Sequence, residues 1–393
     1  FPTRRSSDLF KRNFLMRSGP CALALFAAGV SLSTSAADAW PTKPIRIIVG
    51  YPAGSSPDVQ ARLIAEPLAR ALGQSVVVEN KPGASSNIGA DAIAKAEDGH
   101  TIGVIGNGPL TSSKFLYAKL PYDPTTDFAP IALIGTAPLV WVTAKPAAER
   151  SVASFISQLK AHGDKQAYGS VGPGSGGHLG MELLKQALGI GPIHVPFNGG
   201  PPILNAIIGG QVQMTLLPAS TVSPLVQAGK LEAVAVTSAK RTPLVPTLPS
   251  MEEIGAKGVN IEVWNAVMAP ARMPATHQAR LSQELEKILS SREIRQKLFL
   301  QGWKVDDASA KGLAARIQQD TKTYRDIITR NKIKMRLFCC HMINRIFFRK
   351  EIADHFPFFI KWLKTDGTFR GRQQVIGTEM QLDIYAPAVL KVV

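Results

Sequence analysis

Twelve residues, Tyr168 to Leu179, carry five glycines together with Ser170, Ser175 and His178, between a strand-like run and a helical one from Met181 to Leu188. A glycine-rich turn entering a helix collects unpaired backbone N–H groups at the positive end of the helix dipole. Such a turn holds a carboxylate or a phosphate. Gly172, Gly174 and Gly177 also fit the dinucleotide spacing G-x-G-x-x-G, which needs an acid about 20 residues further on for the ribose. That region reads His194-Val195-Pro196-Phe197-Asn198-Gly199 and holds none. The plain alternative is a tight turn that uses glycine only for backbone geometry. An acyl-transfer reading would pair Ser175 with His178, but Pro173 occupies the first position of the G-x-S-x-G elbow, and no His-Glu-x-x-His spacing occurs.

A second stretch, Gly50 to Asp58, repeats the plan of strand, glycine-rich turn and helix. Ser56 suits an N-cap, Pro57 the first helical position and Asp58 the first turn. Two such units far apart in the chain can face each other across a cleft. The elements that carry them alternate between apolar runs and helical patterns. Ile45 to Val49, Ser75 to Glu79 and Thr101 to Ile105 read as strands, with helices from Asp58 and Asn87 between them and a turn at Gly106-Asn107-Gly108. Pro67 inside the first helix predicts a kink. Two strands, Pro130 to Ile134 and Leu139 to Thr143, then lead to a second alternating series from Val152 to Val236. A late strand near Glu262 to Met268 and helices at Pro274–Leu289, Arg292–Leu300 and Ser309–Arg330 resume the first series. The chain therefore leaves one lobe, builds another and returns: lobe 1 over 40–141 and 260–334, lobe 2 over 142–259. The expected class is α/β, a two-lobed binding-protein architecture with a hinge of crossing strands.

The chain has 393 residues and a formal charge of +16. Residues 1–39 hold five basic residues against two acidic and residues 335–393 nine against five, so +3 and +4 sit on the ends and +9 remains on 40–334. The remainder is scattered over helical faces, so no nucleic-acid partner is expected. Cys21, Cys339 and Cys340 leave 22–338 without cysteine, which excludes a disulfide framework, a cysteine zinc site or a thiol nucleophile there. Arg17, the apolar run Cys21 to Leu32 and small residues at Ser35 to Ala39 read as a signal peptide over 16–39. Residues 1–15 read as a non-native leader. The extension 335–393, with seven of the sixteen phenylalanines, receives no fold or function.

Ordered motifs carry a family resemblance over about Trp40 to Lys334: Pro44-Ile45-Arg46-Ile47-Ile48-Val49, the Gly54 to Asp58 loop, Val77-Val78-Glu79-Asn80-Lys81-Pro82-Gly83 and Asn87-Ile88-Gly89-Ala90-Asp91. Leu120-Pro121-Tyr122-Asp123-Pro124, Asp127-Phe128-Ala129-Pro130, His194-Val195-Pro196-Phe197, Gly209-Gly210-Gln211-Val212, Ala228-Gly229-Lys230-Leu231, Ala235-Val236-Thr237-Ser238 and Met268-Ala269-Pro270-Ala271 continue it. Together they resemble the extracytoplasmic solute receptors of tripartite tricarboxylate transporters, the Bug receptor family. The resemblance implies a periplasmic binding protein-like (type II-like) trap without catalytic activity or cofactor. It also implies a periplasmic monomer that takes a small carboxylate and delivers it to the transporter's membrane subunits. Carried onto this chain, Gly54, Ser56 and Asp58 form the first-lobe loop, and Ser170, Gly172, Gly174, Ser175 and His178 the second. Asn107 joins the ligand contacts or only shapes its turn, and Trp264 walls the cleft or packs the hinge.

Departures bear on specificity. Ser55 stands where the family has a glycine and Pro57 where threonine is common, so one contact is expected either to be lost or to be made by Ser55 instead. Phe197-Asn198-Gly199 lacks the frequent lysine, and Leu216-Leu217-Pro218 lacks an acid for an amino-acid ammonium. The expected ligand is a monocarboxylate, aromatic acids included, or a small dicarboxylate. An exported interaction or sensing module without a transport ligand is the alternative, ahead of a nucleotide-binding enzyme.

Overall fold

The computed structural model describes residues 40–144 and 151–334 and, beyond them, the backbone of three strands between 369 and 392. The expected leader and signal peptide, with most of the extension from Met335, lie outside the described residues. By contacts the chain divides into residues 1–42 and a unit from Lys43 to Val393, which carries every element below. Among the described residues no helix is long and apolar enough to cross a membrane.

The first series is β1 (Ile45–Val49), α1 (Ser56–Leu72), β2 (Val76–Asn80), α2 (Asn87–Ala94) and β3 (Thr101–Gly106), with the strands parallel in the order β2-β1-β3. The apolar run of β1 is buried along nearly its whole length, as a strand covered on both faces must be. After α3 (Asn107–Thr111) and α4 (Ser113–Leu116) comes β4 (Phe128–Ala144), one strand of 17 residues where the sequence reads as two. Gly135 and Pro138 stay in register with Asn265 and Glu262, and two irregularities, at Pro130/Ala132 and Leu133/Gly135, absorb the mismatch.

The second series is α5 (Val152–His162), β5 (Ala167–Ser170), α6 (Gly176–Leu188), β6 (Ile193–Pro196), α7 (Gly200–Ile208), β7 (Met214–Pro218), α8 (Ala219–Gln227) and β8 (Leu231–Val236). The chain then returns through β9 (Glu262–Pro270), α9 (Ala275–Ser290), α10 (Arg292–Leu300) and α11 (Ala310–Arg330). Further on, β10 (Phe369–Val375), β11 (Thr378–Tyr385) and β12 (Val389–Val392) pair antiparallel with one another. The main sheet runs β2-β1-β3-β9-β4-β7-β5-β6, with β8 also on β4. Phe128 to Pro138 of β4 pair with β9, whereas Leu139 to Thr143 pair with β7 and β8. Pro138 has no N–H to give, and the strand changes partners at the next residue. This exchange divides the molecule into two lobes.

Thr237 closes the crossing. Its hydroxyl accepts from Leu139 N at 2.7 Å and donates to Ile261 O at 2.8 Å, joining the strand that leaves the first lobe to the segment that returns. Helix α11 also spans both lobes: Leu313 belongs to the core of Ile48, Ile93, Phe128 and Trp264, and Tyr324 and Ile328 to that of Trp141, Tyr168, Leu184 and Met214. Val140 and Val142, on the opposite face of β4 from Trp141, pack with Ile203, Leu204 and Val222.

Helix α6 begins at Gly176, five residues before the apolar run from Met181, because its first turn is made of glycines that approach a neighbour closely. A Cβ on Gly176 would lie 2.3 Å from Val263 Cγ1, and one on Gly177 would lie 2.6 Å from the Leu216 carbonyl oxygen. The Gly106-Asn107-Gly108 turn is the start of α3, with Gly106 as its N-cap. The N-cap of α1 is Ser55, one residue before the expected Ser56, and α1 continues through Pro67.

Candidate functional site

Between the lobes lies a cavity of about 70 Å³. The first lobe contributes Tyr51, Ser55, Ser56 and Pro57 from the β1–α1 loop, Gly106 and Asn107 from the end of β3, Val263 and Asn265 from β9, and Trp303. The second contributes Leu139, Val171, Ser175, Gly176, Gly177, Gly200, Leu216, Leu217, Pro218 and Thr221. The first residues of α1, α6, α7 and α8 therefore face one space, where Ser56, Gly176, Gly177 and Gly200 present backbone N–H groups and Pro57, Pro201 and Pro202 have none to give. Among the described residues no Lys, Arg, His, Asp or Glu lines it.

The lobes are closed on each other. Ser56 Oγ lies 3.1 Å from Ser220 Oγ and 2.9 Å from Thr221 Oγ1, and Trp303 Nε1 donates to Ser220 Oγ at 3.1 Å. Ser112 Oγ donates to the Gly174 carbonyl at 2.6 Å. Beside it, Ala84, Ser85 and Ser86 all have positive φ, and a Cβ on Gly172 would meet Ser85 Oγ at 2.0 Å, so only glycine fits there.

Of the residues expected at the ligand, Ser55, Ser56, Asn107 and Ser175 line the cavity. Asn107 also donates to Tyr324 Oη at 2.6 Å, and Tyr324 donates to the Glu262 carbonyl at 3.1 Å. Gly54, Asp58, Ser170, Gly172, Gly174 and His178 stand behind the lining as supports. Asp58 accepts from Gly54 N at 2.9 Å and Asn80 Nδ2 at 2.9 Å and pairs with Arg62. Burial acts to raise its pKa, but Arg62, the Gly54 N–H and Asn80 together hold it below the ordinary value.

In the second loop the support is an imidazole. His178 Nδ1 accepts from Gly174 N at 3.1 Å, and its ring stacks on His194 at 4.2 Å, which in turn stacks on Tyr168 at 4.9 Å. Ser170 Oγ lies 2.6 Å from His194 Nε2. Burial pushes His178 down to about 4 and His194 to about 2, so both are neutral at neutral pH. Ser175 caps α6 by accepting from His178 N at 3.3 Å and donates to the Gly172 carbonyl at 2.7 Å. Its hydroxyl is committed to the loop and makes no bond to the imidazole.

Trp264 is absent from the lining: it is fully buried in the first-lobe core and donates to Asp320 Oδ2 at 2.6 Å. A cleft wall is instead made by Trp303, which the sequence reading missed, along with Tyr51, Asn265 and Thr221. Burial pushes Tyr51 up to about 12, so it meets the cavity as a neutral phenol. Its place directly after Gly50, at the mouth of the first loop, was the available signal. Trp303 and Asn265 carried no such local mark.

Comparison with known proteins gives the family. Residues 60–333 match the model of the tripartite tricarboxylate transporter family receptor. Protein BugT of Bordetella pertussis is 34% identical over 277 residues, covering 70% of this chain and 85% of that protein. An R. palustris protein solved with adipate is 31% identical, with a TM-score of 0.72, over 75% of this chain and 99% of its own. MatC from Rhodopseudomonas palustris, solved with bound malate, is 29% identical, with a TM-score of 0.69, over 73% and 99%. On these grounds the chain belongs to the receptors of the tripartite tricarboxylate transporter family.

Proposed function

We propose that this protein captures a small carboxylate in the periplasm, closes its two lobes over it and delivers it to the membrane subunits of a tripartite transporter. One observation carries the reading: the first turns of α1, α6, α7 and α8 converge on a half-open inter-lobe cavity that, among the described residues, no charged side chain lines, with Ser56, Gly176, Gly177 and Gly200 presenting backbone N–H groups. Unpaired N–H groups at helix starts stabilise an anion without a counter-cation. Ser55, Ser56, Asn107 and Ser175, with the backbone of Gly176 and Gly177, contact the ligand. Asp58 and His178 hold the two loops in shape. Residues 40–138 with β9, α9 and α10 move as one lobe and 139–259 as the other, with α11 reaching across both, turning about the crossing that Thr237 pins. The protein acts as a monomer and catalyses no reaction, since neither Ser175 nor His178 is set as a nucleophile or a base.

The test is a thermal-shift and calorimetric screen of the chain against mono-, di- and tricarboxylates and amino acids. A true ligand at 100 times its Kd stabilises by about 2.7 kcal/mol. Binding by a carboxylate with lobe closure in solution scattering supports the reading. A folded protein that binds no carboxylate sinks it in favour of an exported sensing module.

A further inference from the structure

We infer that Ser220 and Trp303 latch the two lobes together: a hydroxyl outside the cavity lining positions them for capture by favouring the closed form. This rests on the lobe closure proposed above and assigns its bias to named side chains.

The indole comes from the first lobe. Trp303 follows α10, and its neighbour Lys304 is tied to Thr136 of β4 by a reciprocal pair of backbone N–H to carbonyl bonds of 2.8 and 2.9 Å. Thr136 lies in the part of β4 that pairs with β9. The Trp303 side chain is 1% exposed and has only its Nε1–H to offer. That N–H donates at 3.1 Å to Oγ of Ser220, the second residue of α8 in the other lobe.

The same hydroxyl meets the first lobe a second time. Ser220 Oγ lies 3.1 Å from Ser56 Oγ, which lies 2.9 Å from Thr221 Oγ1. A hydroxyl accepts twice and donates once, so Ser220 serves the indole and Ser56 together. Ser56 is available because the N-cap of α1 is Ser55. Ser220 is not among the residues that line the cavity.

Backbone fit supports the latch independently. Gly302 has a φ of 78°, and a Cβ there would stand 2.8 Å from Ala219 Cβ. The turn that carries the indole is thus moulded on the first residue of α8. Each bond exchanged for water on opening changes the closed-to-open ratio by about 5-fold. A ligand that needs the closed form gains in proportion to the closed fraction.

The test follows hydrogen exchange of the Trp303 indole N–H by NMR on the full chain alone, with Trp303→Phe assigning the signal, beside the radius of gyration from solution scattering. Ser56→Ala leaves the Ser220–Trp303 bond in place but removes both hydroxyl contacts of Ser56, and should speed indole exchange by about 10-fold. Ser220→Ala should enlarge the radius of gyration, and Ser220→Thr, which keeps the hydroxyl, should restore the wild-type value. Urea unfolding shows that each variant folds. Indole exchange in Ser56→Ala equal to wild type, or an unchanged radius in folded Ser220→Ala, overturns the latch and leaves the carboxylate receptor standing. Faster exchange in a chain that binds no carboxylate keeps the latch and removes only the proposed function.

Discussion

The loop before α1 and the loop before α6 follow one plan with different chemistry at its centre. Each has a glycine with positive φ, Gly54 at 78° and Gly174 at 81°, then a serine N-cap. In each, the third helical residue reaches back to accept that glycine's N–H: Asp58 at 2.9 Å and His178 at 3.1 Å. This is a capping-box contact displaced by one residue. A carboxylate stays ionised under the first loop because Arg62, half exposed, reaches it from solvent. Under the second loop the acceptor is an uncharged ring, which tolerates the stack of His194 and Tyr168 without a counter-ion. In both, the conspicuous polar residue shapes the loop, and the residues beside it meet the cavity.

The largest effect is expected from removing the charged support. Asp58→Ala takes an acceptor from the Gly54 N–H, the Asn80 amide and the half-exposed Arg62, of which Asn80 keeps the Tyr51 carbonyl and Arg62 the Asn80 amide oxygen, and should cost about 3 kcal/mol in urea unfolding. His178→Leu removes a single acceptor from an already apolar stack and should cost about 2 kcal/mol. Equal costs for the two variants would break the contrast.

Acid separates the two supports by pH window. His178 falls from 6.5 to about 4 in the folded state, so the unfolded chain takes up its proton first as pH drops. The stability due to neutral His178 is full above pH 6.5 and is lost between there and about 4, roughly 3 kcal/mol in all. His194 acts in the same direction, to about 2. Asp58, held below 3.8, keeps its contribution until still lower pH. The difference in stability between wild type and His178→Leu, followed from pH 7 to 4, should shrink or reverse. A constant difference would mean that His178 does not titrate as a buried ring.

Glycine marks the next contrast. Pro57 and Gly177 hold equivalent second positions of their helices. Gly177→Ala places a Cβ against the Leu216 carbonyl and should cost about 2 kcal/mol with weakened ligand binding, measured by unfolding and calorimetry. The smallest contrast lies in the caps. Ser175 Oγ accepts a helix N–H, whereas Ser55 Oγ only donates to the Pro52 carbonyl. Ser175→Ala should cost about 1 kcal/mol and Ser55→Ala about half of that, again by urea unfolding.

Much of this was legible in sequence because it is local. The buried run Ile45–Val49, the alternation of strands and helices and the glycine turns before α1 and α6 follow from side-chain period and cap chemistry within a few residues. Such features determined the two-lobed class and put Ser55, Ser56 and Ser175 at the cavity. The direction in which Asp58 and His178 face was not legible, since it depends on Asn80 and His194, which arrive from other strands. Nor was the choice between tryptophans: Trp264 is claimed by Asp320, 56 positions away, and Trp303 is brought to the cleft by the return of the chain after α10. The single strand β4 belongs with these, because Gly135 to Pro138 look like a break until β9 supplies their partners. Period and capping are set by neighbours along the chain, whereas the facing of a side chain is set by packing partners that only the folded lobes bring together.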